Sequence, residues 1–238
     1  TDGVEYKREK WGFLASNFLK ISEMIAVRSA TRLVADNKGI DHYIYNEYDR
    51  KVNATIAYGG ISFIPEKPTH LNMYKFSDKS FDMAIARIVP ENNIEIILNT
   101  YNELDDTLIF IGNWDSSDYS INLKNKKWKS NIQLMDADYN ENRITSLRKS
   151  CRYYIHGHSA GGTNPSLVEA LSIGCSILCF DVNFNRYVLG KYGFFWNDKE
   201  ELKFLIKNNL TVNRNTVLNY YNKTYDWKLI VKQYETIL

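Results

Sequence analysis

No stretch of this 238-residue chain approaches the ~20 consecutive apolar residues that a membrane-spanning helix needs, so the sequence reads as a soluble globular protein. An excess of either charge is missing as well. Thirty basic residues against 28 acidic ones leave a formal net charge of +2, which makes no electrostatic case for nucleic acid; contact with a membrane surface through a local patch stays open. Cysteine is scarce and odd in number: Cys151, Cys175 and Cys179 lie in or beside apolar strand-like runs, where a free thiol behaves as a small hydrophobe. That usage suits a reducing cytoplasm. Neither an initial Met nor a signal peptide is present, and the start at Thr1 predicts that this end is a cut in a longer protein. There is no internal repeat, and no G-x-G-x-x-G turn follows a strand-like run, which weighs against a Rossmann oxidoreductase. Apolar residues, by contrast, make up 44% of the chain, ample for a core.

The most informative stretch runs from His156 to Glu169 and reads H-G-H-S-A-G-G-T-N-P-S-L-V-E. It joins a strand-like run, 152–155, to a helix-like run, 165–173, with Pro165 suited to a first helical position. A Gly-rich turn opening onto a helix N-terminus gathers unpaired N–H groups and the positive end of the helix dipole, and Gly161 and Gly162 let an anion approach the main chain. Thr163 and Asn164 offer side-chain donors, and either could cap the helix. Glu169 lies about one turn further in, where a carboxylate is placed to accept the hydroxyls of a ribose. A plain helix start with a solvated glutamate reads the same way in the motif alone.

Around this stretch the chain divides. Trp11, Leu14, Phe18, Ile21 and Ile25 recur at steps of three and four, which predicts an amphipathic helix from about Lys7 to Ser29. A short strand at 31–35, a turn at 36–39, a helix at 40–48 and a strand at 52–57 follow, closing at Gly59-Gly60. Residues 61–80 hold Pro65 and Pro68 without any sustained period and read as a linker. Beyond it, strand-like runs at 81–88, 107–112, 131–135, 151–156, 175–180 and 192–196 alternate with helix-like segments at 90–104, 139–149, 164–173 and 198–209. Such alternation predicts a Rossmann-like parallel sheet with helices on both faces, whose ligands bind beyond the carboxyl ends of the strands. Residues 213–238 read as two helices, the second striped by Trp227, Ile230, Val231 and Tyr234.

The run G-G-T-N-P-S-L-V-E-A, with the S-I-G-C-S-I-L-C-F-D after it, resembles the donor-binding segment of nucleotide-sugar glycosyltransferases of the GT-B fold, in the rhamnosyltransferase-like branch that builds bacterial surface polysaccharide. The opening T-D-G-V-E-Y-K-R-E-K-W, with A-D-N-K-G-I and I-A-Y-G-G, resembles the closing part of the same family's N-terminal domain. The resemblance implies a GT-B C-terminal domain at 81–212 that binds the donor, preceded at 1–60 by the remnant of an α/β domain on the acceptor side and followed at 213–238 by C-terminal helices, the last of which either crosses back to the N-terminal domain or merely covers the sheet. Where the wider superfamily carries a first glutamate before the loop, this chain has Gly161; Glu169 matches the second glutamate.

Arg87, in A-I-A-R-I-V-P-E, stands at the carboxyl end of the first strand of the second domain, where a guanidinium suits a diphosphate. The resemblance assigns it to the donor phosphates, while the lysine expected five residues later is Asn92. The bland alternative is a surface ion pair with Glu91. Gly112 ends the next strand and would keep the crevice open for the nucleotide; the end of the third strand, 134–136, would hold the base. His156 and His158 share a face of an extended segment but show no third metal ligand by spacing. His158 is the candidate catalytic residue, placed beside the phosphates or the sugar, with a packed histidine as the alternative.

The expectation is therefore a cytoplasmic glycosyltransferase, working without cofactor or metal, that moves a sugar from a nucleoside-diphosphate donor such as dTDP-rhamnose to a glycan or lipid-linked glycan acceptor, at the inner face of the membrane if it associates there. The rival reading is a nucleotide-sugar-binding module without catalysis of its own. The apolar face at Trp11, Phe18 and Ile25 requires cover, on the second domain or in a homodimer.

Overall fold

A computed structural model describes residues 5–7, 11–61 and 80–237. Nearly all of the expected linker, 62–79, lies outside the described residues, as do 8–10 within the first expected helix.

The N-terminal part contains helix α1 (Phe13–Ser29), strand β1 (Val34–Ala35), helix α2 (Lys38–Tyr48) and strand β2 (Ala54–Thr55). β1 and β2 pair in parallel. Both are far shorter than the apolar runs suggest. Asn37 caps α2 by accepting from the Gly39 N–H at 2.7 Å, so the helix begins two residues earlier than its apolar period indicates. α1 turns Val27 and Glu23 inward, the carboxylate accepting from the Tyr43 and Tyr48 hydroxyls at 2.5 and 2.6 Å. Its apolar stripe faces out: Leu14 is 82% and Phe18 70% exposed, so among the described residues nothing from the second domain covers it.

The second part alternates strand and helix throughout: β3 (Phe81–Ile85), α3 (Ile94–Glu103), β4 (Thr107–Ile111), α4 (Asp118–Asn125), β5 (Ile132–Met135), α5 (Glu141–Ser150), β6 (Tyr153–His156), α6 (Pro165–Ile173), β7 (Ser176–Phe180), α7 (Asn183–Leu189), β8 (Phe194–Trp196) and α8 (Lys199–Lys207). Helices α9 (Arg214–Thr224) and α10 (Trp227–Ile237) close the chain. The expected helix at 90–104 is broken: a 3-10 turn at Pro90–Asn92 ends on Asn93 in the left-handed region (φ 53°), from which α3 starts afresh. Helices α4 and α7 are additions to the expected set. At eight and seven residues they carry too little apolar period to announce themselves, although Ser117 and Ser120 form a reciprocal capping box at the start of α4.

All six strands of the large sheet are parallel, in the order β5-β4-β3-β6-β7-β8. Side-chain alternation sends Ala84, Phe110, Tyr153 and Ile155 to one face, under Leu98, Leu123 and Leu202 of α3, α4 and α8. Tyr154, Ile177 and Cys179 go to the other, against Leu167, Val168 and Leu171 of α6, each worth roughly 2 kcal/mol of gross burial. This is the expected α/β sheet covered on both faces. The order reverses between β3, which leads out to β4, and β6, which starts the opposite wing. A crevice opens at that point beyond the carboxyl ends of the two strands.

At the far end of the same strands, buried Asp82 takes Arg152 Nε and Nη2 at 2.9 and 2.6 Å and the Tyr101 hydroxyl at 2.7 Å. α10 returns to the end of the first part, where Trp227 Nε1 donates to the Gly60 carbonyl at 2.7 Å. No helix of the described residues is long and apolar enough to cross a membrane.

Candidate functional site at the reversal of strand order

The loop after β6 is held from three sides. Ser159 donates its N–H and hydroxyl to the Glu91 carbonyl at 3.0 and 2.7 Å, and Asn185 of α7 donates to the His158 carbonyl at 2.8 Å. From the N-terminal part, Asp36 accepts the Thr163 N–H at 2.8 Å, while the Thr163 hydroxyl donates to the Asp36 carbonyl. Gly162 is what lets this lock close: a Cβ there would meet the Asp36 carboxylate at 2.3 Å. Gly161 has φ 125° and nothing within 4 Å of a notional Cβ, so its main chain stays open to a ligand. Asn164 rather than Thr163 is the cap of α6, accepting from the Ser166 N–H at 3.0 Å.

Two adjoining cavities surround this loop. The larger, about 850 Å³, reaches from Gly112, Asn113 and Tyr139 to Thr145, Arg148, Ser166 and Glu169. The smaller, about 230 Å³, is lined by Glu91, Asn92 and the loop residues Gly161, Gly162, Thr163 and Asn164. Arg87 and His158 line both. All seven expected donor-binding residues, and the candidate catalytic histidine, thus lie on one or the other cavity. The larger has the size of a pocket that takes a nucleotide-sized ligand.

The individual roles differ from those expected in three respects. Thr163 is occupied with Asp36 and acts as a clasp between the two parts of the chain. Gly112 serves packing first, since a Cβ would meet Ile88 Cδ1 at 2.4 Å and the Ala86 carbonyl at 2.7 Å. Asn92, where a second cation was expected, is buried and donates to the Arg87 carbonyl at 2.8 Å, fixing the backbone that presents Arg87. Arg87 itself is exposed, and among the described residues no carboxylate pairs with it, Glu91 included. Its charge is available to an anion.

His156 and His158 stack with ring centroids 4.3 Å apart and planes at 13°, above Tyr154. Lone pairs lie in the ring planes, so parallel rings send them side by side rather than toward one ion. His156 is buried, and among the described residues neither nitrogen has a hydrogen-bond partner; burial, then the neighbouring His158 and Arg148, hold it well below the usual histidine range.

Arg148 is the residue that sequence reasoning missed. Its side chain is only 4% exposed, and Nη2 forms an ion pair with Glu169 Oε2 at 2.6 Å and donates to Ser166 Oγ at 2.8 Å. Arg148 Nε and Thr145 Oγ1, buried and without a partner among the described residues, belong to the same wall. Near the end of α5, Arg148 has the sequence signature of a solvated cation favouring the helix dipole, and only the packing of α5 on α6 reveals its burial.

Residues 1–61 match the family model of a domain of unknown function, DUF1972. No curated protein matches the chain in sequence. Among solved structures, the sucrose-phosphate synthase of Thermosynechococcus elongatus aligns with 98% of this chain and 64% of its own at a TM-score of 0.83 and 10% identity. Anabaena HepE, solved in complex with UDP, aligns with 99% of this chain and 70% of its own at a TM-score of 0.78 and 13% identity. The pneumococcal O-GlcNAc transferase GtfA, in complex with UDP and GlcNAc, aligns over 93% and 47% at a TM-score of 0.64 and 13% identity. This chain thus spans about half to about two thirds of the length of those proteins. At these identities the likeness is one of architecture, and that architecture is the α/β fold of the GT-B glycosyltransferases.

Proposed function

We propose that this chain is the donor-binding part of a glycosyltransferase and holds a nucleoside-diphosphate sugar across the two cavities. The observation that carries the reading is the convergence, at the reversal of strand order, of a guanidinium that no described carboxylate pairs (Arg87), an open glycine main chain (Gly161) and a carboxylate in the adjoining wall (Glu169). In this reading residues 81–212 bind the donor, 1–60 belong to the acceptor side, and 213–238 tie the two together. Arg87 and the loop N–H groups take the diphosphate, Glu169 takes the pentose, and the end of β5 takes the base. The UDP bound to HepE and to GtfA is consistent with such a ligand.

Catalysis follows from placement: the cation and the fixed backbone dipoles stabilise the diphosphate as it leaves, and the larger cavity excludes water from the pentose side. His158, on both cavities, stands between diphosphate and sugar. A rhamnosyl donor and a surface glycan acceptor, used in the cytoplasm or at the inner face of the membrane, rest on the resemblance of the Gly161-Gly162-Thr163-Asn164 loop to the rhamnosyltransferase-like branch. Thermal stabilisation of the chain by a panel of nucleotide sugars tests the reading. Stabilisation by nucleoside diphosphates and a subset of their sugars is expected, and no response to any of them would refute it.

A further inference from the structure

Glu169 offers a ligand less than a free carboxylate would. Oε2 is ion-paired at 2.6 Å with a guanidinium buried in the protein, whereas among the described residues Oε1 has no donor, and Glu169 lines the larger cavity. Arg148 cannot give way easily. Its Nη2 is also bonded to Ser166 Oγ, Ser166 Oγ to the Tyr154 hydroxyl at 2.7 Å, and its guanidinium lies 5.6 Å from the centroid of the fully buried Tyr154 ring.

A carboxylate that grips a vicinal diol presents one oxygen to each hydroxyl. With Oε2 already paired to a buried cation, it is the weaker acceptor of the two, and the grip becomes lopsided. We propose that Arg148 is a positioning residue that sets the pentose specificity of this site: it engages Glu169 Oε2 and leaves Oε1 as the stronger acceptor for the ligand, so that one pentose hydroxyl is held firmly and the other only weakly. This rests on the nucleotide-binding reading above. Its consequence for the substrate class is direct, because a site that reads chiefly the 3′-hydroxyl treats ribo- and 2′-deoxyribonucleoside diphosphates nearly alike, and one that reads chiefly the 2′-hydroxyl disfavours the deoxy series.

The test is calorimetry of the whole 238-residue chain with uridine and thymidine diphosphates in their ribo, 2′-deoxy and 3′-deoxy forms. Deleting one hydroxyl should weaken binding by at least about tenfold, as for a hydrogen bond to a charged group, while deleting the other changes it by less than about threefold. In Arg148→Met, with Oε2 released, both deletions should become costly; a merely structural role would lower all affinities together and leave the pattern unchanged, overturning the assignment to Arg148. Tenfold losses from both deletions in the wild-type chain would show that the diol is gripped, overturning this inference and leaving the nucleotide-binding reading intact. If no nucleotide binds, or neither deletion matters, the reading of Glu169 as the pentose ligand falls, and this inference with it.

Discussion

Arg87 and His156 show what a side chain's surroundings add to its identity. Arg87 was marked by its place after a strand, and the structure adds that no carboxylate neutralises it among the described residues. Arg87→Ala should therefore weaken a nucleoside diphosphate by ~1.5–3 kcal/mol while hardly changing the bare nucleoside, as titration of both would show. Equal losses for the two ligands would indicate a folding defect. His156 is buried as neutral imidazole, with His158, Arg148 and Tyr154 as its neighbours, and its folded-state value is depressed below the ordinary ~6.5. For a depressed base the unfolded chain binds the proton first, so its stability contribution is complete above ~6.5 and falls as pH drops below that. Melting temperatures between pH 7.5 and 5 should decline less steeply in His156→Phe than in the wild-type chain. Glu169 could be picked from its distance to the glycine pair. Arg148 could not, because nothing in R-I-T-S-L-R-K-S separates a buried guanidinium from a solvated one.

Among the elements, those with a long, plain period were legible and those set by a few polar contacts were not. The strand-like run at 81–88 contracts to Phe81–Ile85 because the chain from Arg87 to Val89 leaves the ladder to line the crevice, and the helix after it breaks at Asn93. The Asp36 clasp was read only as a turn, since its partner Thr163 lies 127 residues away. Asp36→Ala should cost about 1–3 kcal/mol in chemical denaturation and loosen the loop around Gly161; an unchanged midpoint would show the clasp to be unimportant. The stripe on α1 teaches the complementary lesson: a 3.6-residue period announces an apolar face but not what covers it. Because Leu14 and Phe18 lie in solvent, the pair Leu14→Gln and Phe18→Gln should leave stability within about 0.5 kcal/mol per site and should suppress any concentration-dependent association seen by sedimentation.

Across the whole molecule, the buried ion pair and the proposed binding site sit at opposite ends of the same strands. Asp82 and Arg152 lock the amino-terminal end of the sheet, and the two cavities occupy the carboxyl end. Asp82→Asn should lower stability by about 3 kcal/mol, by leaving a guanidinium poorly paired, without altering relative affinities among nucleotides. Alternating strands and helices made the two-faced parallel sheet readable from sequence, whereas the strand order that creates the crevice emerges only from pairing. The most direct test of the central claim is the position of the ligand on that crevice, followed through amide chemical shifts as UDP or dTDP is titrated into the chain. Saturable shifts centred on Gly161, Gly162 and the backbone around Arg87 and Glu169 are predicted. Saturable binding that leaves those amides unmoved would contradict the account.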